Sequence, residues 1–286
     1  MTGTAKGFVD VRNVSVTFGS NGAAIQAVRE VSLAVQPGEF VSLIGPSGCG
    51  KSTLLNIVAG FARPSSGEAL LDGMPIIKPG SERGVVFQQY SLFPWLSVRR
   101  NVEFGLKMSG TPKDERENAS RTLLTLAGLH AFENYYPDQL SGGMKQRIGI
   151  VRALATNPQV LLMDEPFGAL DTQTRVVMQE ILTNMWQQFR ISVLFVTHDI
   201  EEAIFLSDRI YVMTARPGRI KAEIKVPLPR PRTAEMTDFP EFTELVHVLK
   251  GLIREESLAA MGAEIKSGGL KGFDRDIGPK DVAGVR

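Results

Sequence analysis

The stretch Gly45-Pro46-Ser47-Gly48-Cys49-Gly50-Lys51-Ser52-Thr53 fits G-x-x-x-x-G-K-[ST], a pattern whose loop cradles phosphate. It limits the fold more than any other feature, because the motif works only between a strand and a helix. Phe40–Ile44 ahead of it reads as a buried strand, and Thr53–Ala59 after it as the first turns of a helix. Glycines let such a loop close with its N–H groups turned inward, and the helix N-terminus adds partial positive charge at the same place. Lys51 is expected to reach the β- and γ-phosphates, and Ser52 to offer a hydroxyl to Mg²⁺. The chain therefore reads as α/β, with a nucleotide site.

Around this loop the pattern changes three times. Residues 7–35 alternate apolar and polar positions, broken by Gly19-Ser20-Asn21-Gly22, as in an antiparallel strand layer. Phe18 stands just before that turn and is a candidate to stack on an adenine face. Short strands are expected around Glu68–Leu71, Met74–Ile77 and Arg83–Phe87, the last ending at Gln88, where open α/β sheets place ligand contacts. From about Ser91 to Leu140 the apolar spacing is helical, with Val98, Val102 and Leu106 followed by Leu123, Leu124, Leu126 and Leu129. Leu140-Ser141-Gly142-Gly143-Met144 opens a further helix with Ser141 as N-cap and open N–H groups suited to an anion.

Val160–Met163 is a fully apolar strand ending in Asp164-Glu165, and a carboxylate there is the expected second half of a Mg²⁺–nucleotide site. Asp171 precedes a helix over about Thr174–Arg190, the strand Ser192–Thr197 ends at His198, and Arg209–Met213 reads as the last strand. Beyond Thr214 the basic pairs read as solvated surface, Phe242 to Leu252 as one amphipathic helix, and the final ~20 residues as mobile. His130 and His247 fall in no motif.

Composition narrows the partners. With a net charge of +1, nothing points to a nucleic-acid surface. Cys49 is the only cysteine, so no intrachain disulfide forms, and no motif pairs it with a histidine for nucleophilic work. No apolar run approaches the ~20 residues that span a bilayer, and the N-terminal stretch lacks a signal-peptide core. A membrane role must then come through a partner subunit.

With these motifs in this order, residues 8–232 resemble the ATP-binding subunit of an ABC transporter. Gly45–Thr53 matches Walker A, Gln88 the Q-loop, Leu140–Gln146 the signature, Met163–Pro166 the end of Walker B, Ala169–Asp171 the D-loop and His198 the switch histidine. Pro79–Gln88, Leu92–Trp95 with Asn101-Val102, and Ala215–Arg219 are similar to the nitrate/sulfonate/taurine class of importers. Met144 departs from the family, which usually has Gln there.

The resemblance implies a RecA-like P-loop core with an N-terminal antiparallel β layer and an inserted helical subdomain at about 91–157. Residues 1–232 would form the ATPase domain and 233–286 a C-terminal extension. It implies ATP and Mg²⁺ as ligands, with Ser52, Gln88 and Asp164 at the metal, Glu165 as general base and His198 at the γ-phosphate. Ser141, Gly142 and Gly143 would complete the site of a second copy, and Asp171 would communicate across that interface. The partners implied are this second copy, an integral membrane permease gripped near residues 88–100 and, indirectly, a substrate-binding protein. The implied place is the cytoplasmic face of the inner membrane, peripherally. The competing class is a soluble ABC ATPase acting on nucleic acid or the ribosome, which usually carries two cassettes or a long coiled-coil insertion.

Overall fold

The alternation and the apolar runs build two sheets. The computed structural model describes residues 6–19 and 24–267; the expected turn at Gly19–Gly22 lies mostly outside them, as does the C-terminal tail. Strands β1 (Val9–Phe18), β2 (Ile25–Val35), β4 (Ser66–Leu71) and β5 (Met74–Pro75) form an antiparallel sheet in the order β2-β1-β4-β5. Strands β3 (Phe40–Ile44), β6 (Arg83–Val86), β7 (Val160–Asp164), β8 (Ser192–Val196), β9 (Arg209–Met213) and β10 (Ile220–Lys225) form the second, in the order β10-β9-β3-β8-β7-β6. Here β3 pairs in parallel with both β8 and β9, β7 pairs in parallel with β6 and β8, and β10 runs antiparallel to β9.

This second sheet is covered on both faces, which is why its strands are apolar at nearly every position. Phe40, Ile44, Leu161, Met163, Val193, Phe195, Ile210 and Val212 point into one core. Their neighbours Val41, Leu43, Val160, Leu162, Leu194, Val196, Tyr211 and Met213 point into the other. That is the two-residue period of a strand, read on both sides. The second core is closed by α1 (Lys51–Ala59) and the antiparallel sheet. The first is closed by α2 (Val98–Met108), α3 (Lys113–Leu126), α4 (Gly142–Ala155), α5 (Thr172–Phe189), α6 (Ile200–Leu206) and α7 (Pro240–Ser267).

Three expectations need correction. Arg209–Met213 is followed by β10, whose alternation is weak because it sits at the sheet edge and is only partly covered. Residues 91–97 are not helical; α2 begins at Val98, N-capped by the Ser97 hydroxyl. The basic residues beyond Thr214 are not simply solvated. Arg230 lies over Trp186 at 4.1 Å and bonds Asp208. Arg232 is 4% exposed and donates to the carbonyls of Ile204, Phe205 and Ser207. A guanidinium in such a place finishes the C-terminal end of α6, whose carbonyls have no partner within the helix.

At the opposite end of α6, Asp199 is the N-cap and accepts from the Glu202 N–H. The Glu202 side chain, 4% exposed, turns inward, accepting from the Thr197 hydroxyl and from Gln179 Nε2. Burial, with Asp199 nearby, pushes its carboxyl from the ordinary 4.5 up to about 7 against the opposing pull of the Thr197 hydroxyl. The folded protein then holds a proton that the unfolded chain has released between pH 4.5 and 7, so stability falls as pH rises through that window and levels off above it. Glu202→Gln should flatten this slope; a denaturant midpoint with the same pH dependence as the parent would show that Glu202 is not its source.

Candidate functional site

Parallel strands deliver their carboxyl ends to one edge, and the motif residues collect there. The phosphate loop follows β3, Asp164 ends β7, Glu165 follows it, and Thr197-His198 follow β8. Gly50 is the N-cap of α1 at φ 103, a backbone that L side chains rarely adopt. A Cβ there would also stand 2.6 Å from Val28 Cγ2, so glycine is required on two counts.

A cleft of about 370 Å³ runs along the loop, lined by Ser47, Gly48, Gly50, Lys51, Ser52 and Thr53, by Phe18, Ile25 and Ala27, and by Glu165 and Arg216. Phe18 is 53% exposed; its ring belongs to this cleft and not to the core. Gly45 and Pro46 contribute their carbonyls, which accept from Lys51 Nζ at 2.9 and 3.0 Å. Lys51 is 6% exposed, and its ammonium ties together the start of its own loop. Cys49 is buried with Sγ 3.9 Å from Lys51 Nζ. Burial pushes its thiol up against the pull of that ammonium, the wrong direction for a nucleophile.

The Ser52 hydroxyl donates to Asp164 Oδ1 at 3.0 Å. Burial pushes the Asp164 carboxyl up, opposed by the Ser52 hydroxyl and reinforced by Glu165 beside it. Hydroxyl and carboxylate oxygens side by side suit a hard cation such as Mg²⁺, which takes one or two protein carboxylates and completes its shell from phosphates and water. Among the described residues no group of three or more His, Cys, Asp or Glu is placed to hold a metal alone. Gln88 is exposed and lines a cavity with Tyr90, Leu92, Pro94, Lys145 and Ala169, and its Nε2 comes up to the Glu165 carboxylate side of the site: a Cβ on Gly168 would stand 3.8 Å from Gln88 Nε2 and 3.9 Å from Glu165 Oε2.

Glu165 takes φ 44, an uncommon backbone for a residue with a side chain. Its own N–H donates to Val196 O at 2.8 Å and its carbonyl accepts from Gly168 N. The side chain meets His198, with Oε2 3.1 Å from Nδ1. An ionised carboxylate can only accept, so the tautomer that suits this contact has its proton on Nδ1 and Nε2 as the ring's open nitrogen. Behind this pair Thr197 accepts from the Asp199 N–H while donating to Glu202. The buried Glu202 side chain thus braces the segment that carries His198. Its signal in the sequence was the Asp199–Glu202 spacing of a capping box, although its side chain serves Thr197 instead of the cap.

Ser141, Gly142 and Gly143 stand apart from the phosphate loop. Ser141 Oγ accepts from Met144 N at 3.3 Å as the N-cap of α4. Ser141 and Gly143 line a cavity of about 300 Å³ with Arg147, Gln173, Thr174 and Met178. Asp171 is the N-cap of α5, accepting the Thr174 N–H at 2.9 Å and hydroxyl at 2.7 Å. Those two bonds hold its carboxyl below the usual range, and through Thr174 it shapes the wall of that same cavity. Met144 packs against the core. His130 and His247 are exposed on the surface, away from these groups. Arg216 was missed because its place depends on β9 running parallel to β3, which no local pattern reveals.

Comparison with known proteins agrees with this geometry. The family model described as ABC transporter matches residues 28–168. An ABC transporter ATP-binding protein of Methanocaldococcus jannaschii is 48% identical over 84% of this chain and 90% of its own length. A nitrate import ATP-binding protein of Synechocystis sp. is 44% identical over 88% and 98%, and a taurine import ATP-binding protein of Rhizobium johnstonii 47% over 85% and 95%. A solved dimeric ATP-binding cassette bound to ADP and phosphate is 35% identical, with TM-score 0.68 over 77% of this chain and all of that one. No helix among the described residues is long and apolar enough to cross a membrane. The chain belongs to the ATP-binding subunits of ABC transporters and is an ATPase of that family.

Proposed function

We propose that this chain energises import of a small anion such as nitrate, a sulfonate or taurine, working as a pair of ATPase copies beneath a separate membrane permease. The names of the relatives support the importer class, and a substrate-binding protein would feed the permease from the other side. The working position is peripheral, at the cytoplasmic face of the membrane. The observation that carries the catalytic reading is the contact of Glu165 with His198 at the mouth of the phosphate-loop cleft.

In this reading the loop N–H groups of Ser47 to Ser52 and the Lys51 ammonium bind the triphosphate. Ser52 and Asp164 would hold Mg²⁺, which when bound would supply charge neutralisation for the phosphates. Glu165 orients the attacking water and accepts its proton. His198 keeps that carboxylate aimed and turns Nε2 towards the γ-phosphate. Gln88, just after β6 and on the Glu165 side of the cleft, would add its amide oxygen to the metal's ligands. Ser141, Gly142 and Gly143, remote from their own loop, offer the N-terminus of α4 to the γ-phosphate held by a second copy, and Asp171 keeps that surface in shape. Phe18 stacks on the base.

The permease is gripped at residues 88–100. Trp95 is 70% exposed, so the largest side chain of this segment is free to meet a partner. Beneath it Phe93 packs on Phe104 at 4.5 Å and under Arg152 at 5.5 Å. Buried Asn101 fixes the loop, donating to the carbonyls of Phe93, Leu96 and Ser97 and accepting from Phe93 N. The adjoining cavity of about 730 Å³ can take a short helix of the membrane subunit anchored on aromatic side chains.

Three measurements test this. Glu165→Gln should keep ATP affinity and slow phosphate release by ~10² or more; near-normal turnover in the assembled complex would remove Glu165 from the role. Ser141→Arg should abolish turnover while each copy still binds ATP, and mixing it with Lys51→Ala should restore one composite site. No recovery in the mixture would sink the arrangement in trans. Trp95→Ala should shift the stability of the isolated chain by less than about 0.5 kcal/mol yet weaken assembly with the permease by about 2 kcal/mol. Normal assembly would exclude the groove.

A further inference from the structure

The turn between β9 and β10, residues 214–219, plays no part in the chemistry above, yet it is fastened on three sides. Towards β2, Gly218 N donates to Ala27 O and Arg29 N to Gly218 O, both at 2.9 Å. Towards the C-terminal helix, Ala215 N donates to Glu256 Oε2 of α7 at 2.9 Å. The other oxygen of Glu256 is 2.8 Å from Lys221 Nζ on β10. Towards the phosphate loop, Arg216 Nε and Nη2 both donate to Gly48 O, at 3.2 and 3.0 Å. The turn is closed on itself by Arg219 N donating to Thr214 Oγ1. Contact with the loop is tight: a Cβ on Gly218 would fall 2.0 Å from Cys49 O.

Gly48 C=O and Cys49 N–H belong to one planar trans peptide and point in opposite directions. A guanidinium fork on that carbonyl therefore fixes the orientation of the whole Gly48–Cys49 peptide, whose N–H turns back to Pro46 O at 3.4 Å, and so helps to hold the shape of the loop. The same guanidinium lines the cleft beside Phe18 and Ser47, adding a cation where a polyanion must sit. A single exposed arginine would be unremarked surface. Here it is placed by a turn that has no room to drift, and that turn is held in part by a carboxylate on a helix late in the chain.

We propose that Arg216 is a positioning residue for nucleotide binding and that Glu256 holds it in place, so that α7 sets the affinity of the phosphate loop for ATP. The proposal rests on the loop being the ATP site. It makes the C-terminal helix a regulatory handle: anything that draws α7 away from β10 releases Ala215, loosens Arg216 and lowers ATP affinity without touching Glu165 or His198.

The test is calorimetric titration of the full chain with MgATP. Arg216→Ala should weaken binding roughly tenfold, the scale of one hydrogen bond to a charged group, and Arg216→Lys should recover part of it by restoring one donor and the charge. Glu256→Ala should weaken binding by a smaller factor in the same direction. The double variant should bind no worse than Arg216→Ala alone, since both act through one contact. In the assembled complex Arg216→Ala should raise KM for ATP and leave kcat nearly unchanged. Should Arg216→Ala fold poorly, Arg216→Gln keeps the bulk and is expected to show the same loss. Unchanged affinity in the Arg216 variants would overturn the proposal, and additive losses in the double variant would overturn the role of Glu256. Lys51→Ala separates the two levels: affinity indifferent to Lys51 sinks the assignment of the loop itself, whereas affinity that needs Lys51 but not Arg216 sinks only the latch.

Discussion

A parallel sheet covered on both faces leaves its strands one place to present polar chemistry, namely where they stop. Every side chain of β3, from Phe40 to Ile44, is buried, and β8 is buried along its whole length. Such strands can carry no working carboxylate or histidine in their middles without stranding charge in a dry interior. The polar residues therefore gather beyond the last apolar position: Asp164 and Glu165 after Met163, and Thr197 and His198 after Val196. The loop after β3 brings Lys51 to the same edge. The site is a consequence of how the core is sealed.

The groups at that edge are held chiefly by backbone. Gly45 and Pro46 carbonyls hold Lys51, the Val196 carbonyl holds Glu165 N, and Gly48 O receives Arg216. Backbone is the part of a packed fold that moves least, so charges fastened to it are aimed before any ligand arrives. That preorganisation matters more for a transferring phosphoryl group than any single pairwise contact.

Much of this was legible in the residues. The phosphate loop could be read because glycine spacing, an apolar run and a helix start coincide within Phe40–Ala59, and each is a local signal. Ser141 was legible as an N-cap for the same reason. What stayed hidden depends on topology. β10 lacks a strong apolar period because it is an edge strand. Arg216 looks like any basic surface residue until β9 is known to lie beside β3. Glu202 looks like a solvent-facing helix residue until α6 is seated against β3 and α5.

The left-handed backbone at Glu165 has a consequence for how such a chain can change. A non-glycine residue held there costs of order 1 kcal/mol, and small domains have only about 5–15 kcal/mol of stability altogether. Glycine at this position would relax the strain and make a sturdier fold, at the expense of the one carboxylate that faces His198. Selection for robustness and selection for turnover thus pull this residue in opposite directions. A variant recovered for heat resistance alone could lose this carboxylate at the end of β7, where the protein spends stability on aim.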